Sequence, residues 1–229
     1  MLPIIGIFTL AILFGACKKS DSNNTPLPAA GLMAFNLIPN SGGIGVAIGN
    51  NPLTPQALYF NNFTGTYKAV YTGDRSLESY SFGSGSTLAK ENHTFKDSSY
   101  YSVFVMGAND VYSNVFVEDK LESIPKDDKT KTFVRFVNAI PDSTSSTVTI
   151  VGGANIIFNG LSKYKEVSVF KEIPSGDVRV QIDNESTIDT SRTISLDKGK
   201  IYTILLTGIP ASTNSDFKVD IKFISNASL

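Results

Sequence analysis

The sequence is poor in the residues that build metal centres, disulfides and hydrolytic sites. Its 229 residues include one cysteine, one histidine and no tryptophan. One Cys and one His cannot supply the four nitrogen or sulfur ligands of a structural zinc site, and one Cys cannot form a disulfide within the chain. A hydrolytic triad needs a histidine base, and His93 stands in a polar stretch that predicts an exposed loop. We therefore expect no metal, no cofactor and no catalytic residue.

The charge balance excludes another class of partner. The chain has 20 basic and 21 acidic residues, a formal net charge of −1. Binding to nucleic acid relies on clustered Lys and Arg that contact phosphates, so we expect no nucleic-acid partner. Serine, threonine and asparagine are abundant, and charged residues make up 18% against roughly 25% in an average soluble domain. This composition is typical of a secreted, β-rich protein.

The first 17 residues indicate where the protein is located. Leu2 to Phe14 is an apolar run that is too short to span a membrane but has the length of a signal-peptide core. Gly15-Ala16-Cys17 ends it and resembles the lipobox of bacterial lipoproteins, in which the cysteine is lipidated. We expect a signal peptide over 1–16 and a lipidated Cys17 on a flexible tether over 17–30. The protein is then anchored in the bacterial cell envelope, on the periplasmic or the surface face of the outer membrane.

The rest of the chain contains an internal repeat, which indicates a duplicated domain. Three segments recur in the same order at offsets of 102, 98 and 101 residues: Phe35–Ser41 with Val137–Ser143, Phe60–Thr64 with Phe158–Ser162, and Tyr101–Gly107 with Tyr202–Gly208. The repeats cover 31–119 and 131–229. Between them, 9 of the 14 residues from Glu118 to Lys131 are charged, which predicts a solvated linker over 120–130 that leaves the orientation of the repeats free.

Each repeat has the pattern of a small β-sandwich. Short runs rich in Val, Ile, Thr, Tyr and Phe recur every 8–12 residues between turn residues, and no helical period is sustained. About seven strands at this spacing predict an antiparallel, immunoglobulin-like sandwich. The fold class is therefore all-β, with two tandem immunoglobulin-like antiparallel β-sandwich domains.

Four residues are predicted to have structural roles. Tyr101 and Tyr202 each open a strongly apolar strand after a turn, which favours a tyrosine corner whose hydroxyl bonds the upstream backbone. Asn36 and Asn138 recur before Ile-Pro, where a side chain that bonds the turn backbone is favoured over a ligand contact. Arg135 is expected to face solvent or to pair with an acidic group of its own domain.

The second repeat resembles a known family over nearly its whole length. The resemblance rests on Phe133–Asp142, Gly199–Thr203 and Gly208, which look like domain of unknown function 4397. The first repeat is more divergent, since Met33 replaces Arg135 and Tyr101-Ser102 replaces the Tyr-Thr pair. Such domains occur in bacterial envelope lipoproteins, often in tandem, so the resemblance implies a β-sandwich on a membrane tether and no catalytic residues.

Binding is the function that remains. Seven of the nine tyrosines lie in the first repeat, and Tyr67, Tyr71 and Tyr100 are the candidate binding surface, although such aromatics more often fill a sandwich core. Ser143 fits a weak O-glycosylation pattern. The leading hypothesis is a non-catalytic, membrane-anchored lipoprotein that presents two sandwiches for protein interaction, adhesion or assembly. The alternative is a glycan-binding accessory lipoprotein of an outer-membrane uptake system, and an enzyme that uses a carboxylate pair is a third, less favoured reading.

Overall fold

A computed structural model describes residues 27–125, 129–141 and 145–228. The first repeat contains β1 (Ala29–Asn36), β2 (Ile44–Ile48), β3 (Asn51–Pro52), β4 (Lys68–Tyr71), β5 (Gly73–Ser81), β6 (Thr87–Phe95), β7 (Tyr100–Ala108) and β8 (Val111–Glu118). The second contains β9 (Thr132–Asn138), β10 (Ser146–Gly152), β11 (Asn155–Ser162), β12 (Lys171–Ile173), β13 (Gly176–Asp183), β14 (Asp189–Leu196), β15 (Lys200–Thr207) and β16 (Asp220–Ser228). Two short 3-10 helices are η1 (Leu121–Ser123) and η2 (Ser215–Phe217).

Several predictions from the sequence lie outside the described residues. These are the signal peptide over 1–16, the lipidation site Cys17, most of the tether and the glycosylation candidate Ser143. The last two tether residues, Ala29 and Ala30, belong to β1, so the tether prediction extends too far. Within the described ranges, no helix has the length and hydropathy needed to cross a bilayer.

Each repeat forms two four-stranded sheets with the same connectivity. In the first repeat the strand orders are β4-β1-β7-β8 and β3-β2-β5-β6; in the second they are β12-β9-β15-β16 and β11-β10-β13-β14. The inward side chains of each sheet pair form a separate core, one in each repeat. The prediction of two tandem β-sandwiches is therefore confirmed.

The strand order differs from the immunoglobulin arrangement. In that arrangement the first, second, fourth and fifth strands share a sheet, whereas here the first, fourth, seventh and eighth do. The pairs β1–β7 and β9–β15 are parallel, and the other strand pairs are antiparallel. Side-chain alternation specifies which face of a strand is buried but not which strand lies beside it, so the sequence pattern could not supply this order.

One of the three predicted repeat matches is wrong. Phe158–Ser162, proposed as the counterpart of Phe60–Thr64, lies in β11. The structural counterpart of Asn61 is Lys165, because both have left-handed backbones, with φ of 65° and 72°. Each of their N–H groups also donates at 2.8 Å to the carbonyl of the asparagine that ends the first strand of its repeat. The mismatch arises because β11 has eight residues, while its counterpart β3 has two.

A third apolar cluster joins the two repeats. Its buried members come from one sheet of each repeat: Met33, Phe35, Leu37, Phe104 and Met106 from the first, and Val137, Ala139 and Leu205 from the second. The sheets that contain β1 and β9 therefore pack face to face, and the molecule is a stack of four sheets. The central strands are buried on both faces, which explains their nearly continuous apolar sequence.

The predicted linker is exposed at most of its described residues, but it is not free, because two of its apolar side chains are docked. Asp119, Leu121 and Ile124 are buried. Leu121 and Ile124 pack in a small cluster with Phe133 and Ile201 of the second repeat. Charge density along a sequence favours exposure, but individual apolar residues between the charges can still dock against a neighbouring sheet.

Candidate functional site

The centre of the contact between the repeats is a buried arginine. Arg135, in β9, is 2% exposed, so the expectation that it faces solvent is wrong. Its Nη1 lies 2.6 Å from Asp119 Oδ1, its Nη2 donates to Ser102 Oγ at 2.9 Å, and its Nε donates to Thr203 Oγ1 at 3.0 Å. The acidic partner therefore comes from the end of the first repeat and not from the arginine's own domain.

The second carboxylate oxygen of Asp119 is also engaged by the first repeat. Asp119 Oδ2 accepts hydrogen bonds from the Tyr67 hydroxyl at 2.6 Å and from Ser102 Oγ at 2.7 Å. Burial, reinforced by the negative charge of Asp119, raises the pKa of Tyr67 well above its ordinary value. Tyr67 is thus part of the contact between the repeats, and its prediction as a binding-surface residue is wrong.

The two repeats meet through equivalent surfaces. Met33 occupies in β1 the position that Arg135 has in β9, and each side chain reaches the other repeat. The Nδ2 of Asn226 lies 3.9 Å from Met33 Sδ, while Asn226 Oδ1 accepts from Thr203 Oγ1 at 2.6 Å. Such self-complementary use of one face by two similar units is the geometry of a twofold dimer interface, here within one chain.

The hydrogen-bonded side chains of Tyr67, Ser102, Asp119, Arg135 and Thr203 form a structural joint between the two repeats. The guanidinium carbon of Arg135 lies 4.5 Å from the ring centroid of Phe170 and 5.3 Å from that of Phe104, so its faces are covered as well as its edges. Among the described residues, no group of three or more His, Cys, Asp and Glu side chains could hold a metal ion. The charges are paired with each other by direct bonds, and Arg135 and Asp119 also line a small cleft of about 330 Å³.

The position of His93 differs from the exposed loop that the sequence predicts. It lies inside β6 and not in a loop. Its ring stacks on Phe116 with centroids 3.9 Å apart, and its Nε2 is 3.4 Å from Glu91 Oε1. No serine, threonine or tyrosine is hydrogen-bonded to it, among the described residues, in the way that an activated nucleophile would be.

The predicted structural residues have the contacts expected of them. The hydroxyls of Tyr101 and Tyr202 accept from the backbone N–H groups of Lys96 and Asp197, each at 3.1 Å and five residues upstream. Burial is the main cause that raises the pKa of Tyr202.

The two repeat asparagines bond the turn that follows each of them. Asn36 Oδ1 accepts from the N–H of Ile38 at 2.9 Å, and Asn138 Oδ1 accepts from that of Ile140 at 3.1 Å. Their Nδ2 groups donate to the carbonyls of Leu58 and Ser162 at 2.7 and 3.3 Å, and both asparagines are buried. Neither side chain is available to a ligand.

Two of the predicted surface tyrosines are exposed. Tyr71 is 62% exposed and Tyr100 is 38% exposed. The Tyr100 ring makes an edge contact with Tyr67 at a centroid distance of 5.0 Å. Tyr67 and Tyr100 therefore lie side by side, with the Tyr67 hydroxyl bonded to Asp119, and Tyr71 is exposed on β4.

A cleft between the repeats is the site that the sequence did not reveal. It encloses about 660 Å³. Its first-repeat wall is formed by Asn40–Gly43 and Tyr59–Asn61, and its second-repeat wall by Ser215–Lys218 with Asp220 and Lys222. Because the two walls are more than 150 positions apart in the sequence, only the packing of the repeats brings them together.

The second sandwich has an edge strand of unusual composition. Each of the four sheets has two edge strands, and β11 alone among these eight, all within the described ranges, carries neither a charged residue nor a proline. Charges and prolines are the usual protection of a sheet edge against another chain. On the outward face of β11, Ile156 is 64% exposed and Leu161 is 73% exposed.

The architecture is that of a β-protein made of two tandem sandwiches joined through equivalent sheets. Residues 132–223 match the family described as Domain of unknown function (DUF4397), so the second repeat is a DUF4397-like domain. The match covers β9 to β15 and the first residues of β16. No curated protein matches the chain.

Solved structures with some likeness to the chain are distant. One is CBMbc, a family CBM26 module of Amy13K from Eubacterium rectale in complex with maltoheptaose, at 13% identity and a TM-score of 0.27, covering 87% of this chain and 97% of that one. Another is a candidate cell adhesion protein from Bacteroides ovatus, at 11% identity and a TM-score of 0.27, covering 87% and 98%. Likeness at this level carries no inference about what this chain binds.

Proposed function

We propose that the protein is a non-catalytic lipoprotein of the bacterial cell envelope that presents a rigid pair of β-sandwiches to another envelope protein. Lipidation at Cys17 would anchor it, since two or more acyl chains give stable membrane attachment where one gives marginal attachment. The lipobox-like Gly15-Ala16-Cys17 supports this anchor. The buried joint supports the rigid presentation, because the ion pair and the shared apolar core both span the two repeats.

The observation that carries the protein-interaction role is the unprotected edge strand β11. Its outward side chains Ile156 and Leu161 pair across the sheet with Val151 and Thr147, so the face is apolar or uncharged at each of these positions. Interface cores are depleted of charge and rich in apolar contact area. On the same face, Arg179 and Asp183 of β13 lie opposite Val151 and Thr147, so the uncharged surface is a narrow strip along the sheet edge. The strip fits a partner protein with an apolar patch of similar width.

The backbone of β11 is only partly free, which favours recognition through side chains. Lys171 Nζ donates to the carbonyl of Ile157 at 3.0 Å, and the carbonyl of Ser162 accepts from Asn138 Nδ2. An added strand would have to displace the first of these bonds. Contact through the exposed aliphatic side chains needs no such change.

The test is cross-linking in cells followed by purification of the full chain. We expect a defined envelope protein to co-purify with the wild type and to be lost from the double variant Ile156→Asp/Leu161→Asp. The control is Val111→Asp in the first repeat, because Val111 is 69% exposed and lies far from β11 in the sequence. Equal recovery of the partner with all three proteins would refute the role of β11, and light scattering would reveal a second copy of the chain as the partner instead.

A further inference from the structure

The first sandwich has an open, largely apolar corner where the chain enters it. We call it the entry corner and define it by Ala29 and Tyr71, which pair across β1 and β4. A pocket of about 450 Å³ lies at this corner. The apolar part of its lining comes from both sheets and includes Val70, Tyr71, Ile48, Pro52 and Leu53. The two sheets therefore leave apolar surface uncovered at this edge of the sandwich.

Two exposed apolar side chains occur at the entry corner. Tyr71 is 62% exposed and Leu27 is 68% exposed. Leu27 comes two residues before Ala29, and the carbonyl of Pro28 accepts a hydrogen bond from the N–H of Thr72 at 3.4 Å. The chain before β1 thus runs beside the end of β4. The leucine and the tyrosine therefore extend the apolar surface of the pocket into solvent.

A basic side chain lies at the rim of the pocket. Arg75 belongs to the lining, and its Nη2 and Nε donate to the carbonyls of Thr72 and Tyr71 at 2.8 and 3.4 Å. Within the described ranges no carboxylate lies at ion-pair distance from this guanidinium. The two carbonyls hold the group beside the apolar surface and leave its charge available to an anion.

The same place in the second repeat has a different chemistry. Counted along the equivalent strand pairs, Lys131 takes the place of Ala29, and Glu172 takes that of Ala69. Lys131 and Glu172 form an ion pair of 2.9 Å and line a pocket of about 510 Å³ there. Paired charges thus occupy in the second repeat the positions that are alanines in the first. The apolar corner with an unneutralised arginine is specific to the repeat that follows the N-terminal segment.

The N-terminal segment carries the proposed lipid anchor. Ala29 lies 12 residues after Cys17. A fully extended chain of this length spans about 40 Å, so lipidation at Cys17 would keep the entry corner within that distance of the bilayer. Tethering also raises the local concentration of one surface at another, so a contact too weak to hold the free protein can form in the anchored protein.

We propose that the entry corner rests on the lipid surface, with Tyr71 and Leu27 at the level of the head groups and Arg75 against lipid phosphates. This inference rests on the proposed function, because it needs the anchor at Cys17. Tyrosine is favoured at membrane interfaces, where its ring meets apolar groups and its hydroxyl meets water. Arginine suits phosphate through its fork of N–H groups. Because the joint fixes the two repeats to each other, this contact also orients the second repeat relative to the membrane.

The test uses the absence of tryptophan from the sequence, because one substitution then introduces a unique fluorophore. The full lipidated chain with Tyr71→Trp is reconstituted into vesicles of phosphatidylglycerol and phosphatidylcholine, with and without acyl chains brominated near the head group. We expect the brominated lipids to quench the tryptophan emission. Unchanged emission of Tyr71→Trp in brominated vesicles would overturn the proposal.

The matched control is Tyr59→Trp in the same vesicles. Tyr59 is 60% exposed, close to the value for Tyr71, and it lies by the other end of β1, where Leu58 bonds Asn36. We expect its emission to be the same with and without bromine. Equal quenching at both positions would show that contact with lipid is not confined to the entry corner and would refute the assignment.

The phosphate contact is tested by Arg75→Gln in the chain that carries Tyr71→Trp. We expect this change to weaken the quenching, while Arg179→Gln, at an exposed arginine of β13, should leave it unchanged. Quenching that is equally strong with Arg75→Gln would contradict the contact between Arg75 and phosphate.

Flotation of the same vesicles separates this inference from the anchor. A chain that floats with the vesicles while Tyr71→Trp stays unquenched is anchored without the corner contact, which refutes this inference alone. A chain that does not float refutes the anchor, and this inference with it. Cys17→Ala should neither float nor show quenching, because the corner contact is too weak without the tether.

Discussion

Arg135 of the second repeat and Asp119 at the end of the first form an ion pair of 2.6 Å whose side chains are 2% and 0% exposed. Each charge is surrounded by hydrogen-bonding partners from its own repeat and from the other. A pair of this kind fixes one relative arrangement of two bodies, because any sliding would leave a charge buried without a partner. The two repeats are therefore expected to unfold as a single cooperative unit.

Removal of the arginine should be strongly destabilising. Arg135→Met places at this position the residue that the first repeat has at Met33, and it leaves Asp119 buried without a cation. We expect the free energy of unfolding to fall by about 3–5 kcal/mol, as is usual when one partner of a buried pair is removed. Urea unfolding followed by circular dichroism measures this change.

The double variant Arg135→Met/Asp119→Asn tests the cause of that loss. The amide keeps an oxygen for the Tyr67 and Ser102 hydroxyls but carries no charge. Much of the lost stability should return, since neutral replacement of a buried pair is often tolerated. A double variant as unstable as Arg135→Met would show that packing, and not the uncompensated charge, governs the joint.

The two tyrosine corners should make similar and independent contributions. Tyr101→Phe and Tyr202→Phe each remove the acceptor of one backbone N–H, and we expect a cost of about 1–2 kcal/mol in each case. Because the corners lie in different sandwiches, the costs should add in the double variant. Chemical denaturation of the three variants gives these values, and Tyr71→Phe, at an exposed position, should have almost no effect.

Tyr164 should make the protein sensitive to alkali. Burial raises its pKa to about 12, against about 10 in an unfolded chain. Between these pH values the unfolded chain releases the proton of this tyrosine and the folded chain retains it. The contribution of protonated Tyr164 to the free energy of unfolding is therefore complete below about pH 10 and is lost as the pH rises toward about 12. Tyr67, whose pKa is also raised, acts in the same direction.

The substitution Tyr164→Phe should therefore reduce the loss of stability in alkali. At neutral pH it should be neutral or slightly stabilising, because the Tyr164 hydroxyl is buried with no partner in the described ranges. Thermal midpoints measured at several pH values between about 8 and 12 follow the effect. A steeper decline in the variant than in the wild type would contradict the assignment.

The lipid anchor can be examined separately from the folded part. We expect Cys17→Ala to leave the protein in the soluble fraction and unlabelled by radioactive palmitate. Cys17→Ala should not change thermal stability, because the contacts described above involve only residues from 27 onward. Membrane partitioning of the variant equal to that of the wild type would refute the anchor.

The sequence was most informative where a local rule governs the structure. Asn36 recurs as Asn138, and Tyr101 recurs as Tyr202. These recurrences located the first strand and a later core strand of each sandwich, because the side-chain hydrogen bonds of both residue types reach only a few residues along the chain. The loop match failed because β11 is longer than β3, and a short motif of Phe and Asn cannot by itself distinguish a strand from a loop.

The amino-acid sequence by itself determined that the chain is all-β, duplicated and too poor in cysteine and histidine for a four-ligand zinc site of these residues or a disulfide. The tertiary structure alone decided the strand order, the burial of Arg135, the bond between Tyr67 and Asp119, and the cleft between Tyr59 and Phe217. These features depend on residues that are far apart in the chain. The alternation of apolar and polar residues along a strand shows which face of the strand is buried, but not which other sheet face it packs against. The mostly apolar central strands of the sheets of β1 and β9 bury their second faces against each other, and that contact created both the joint and the cleft.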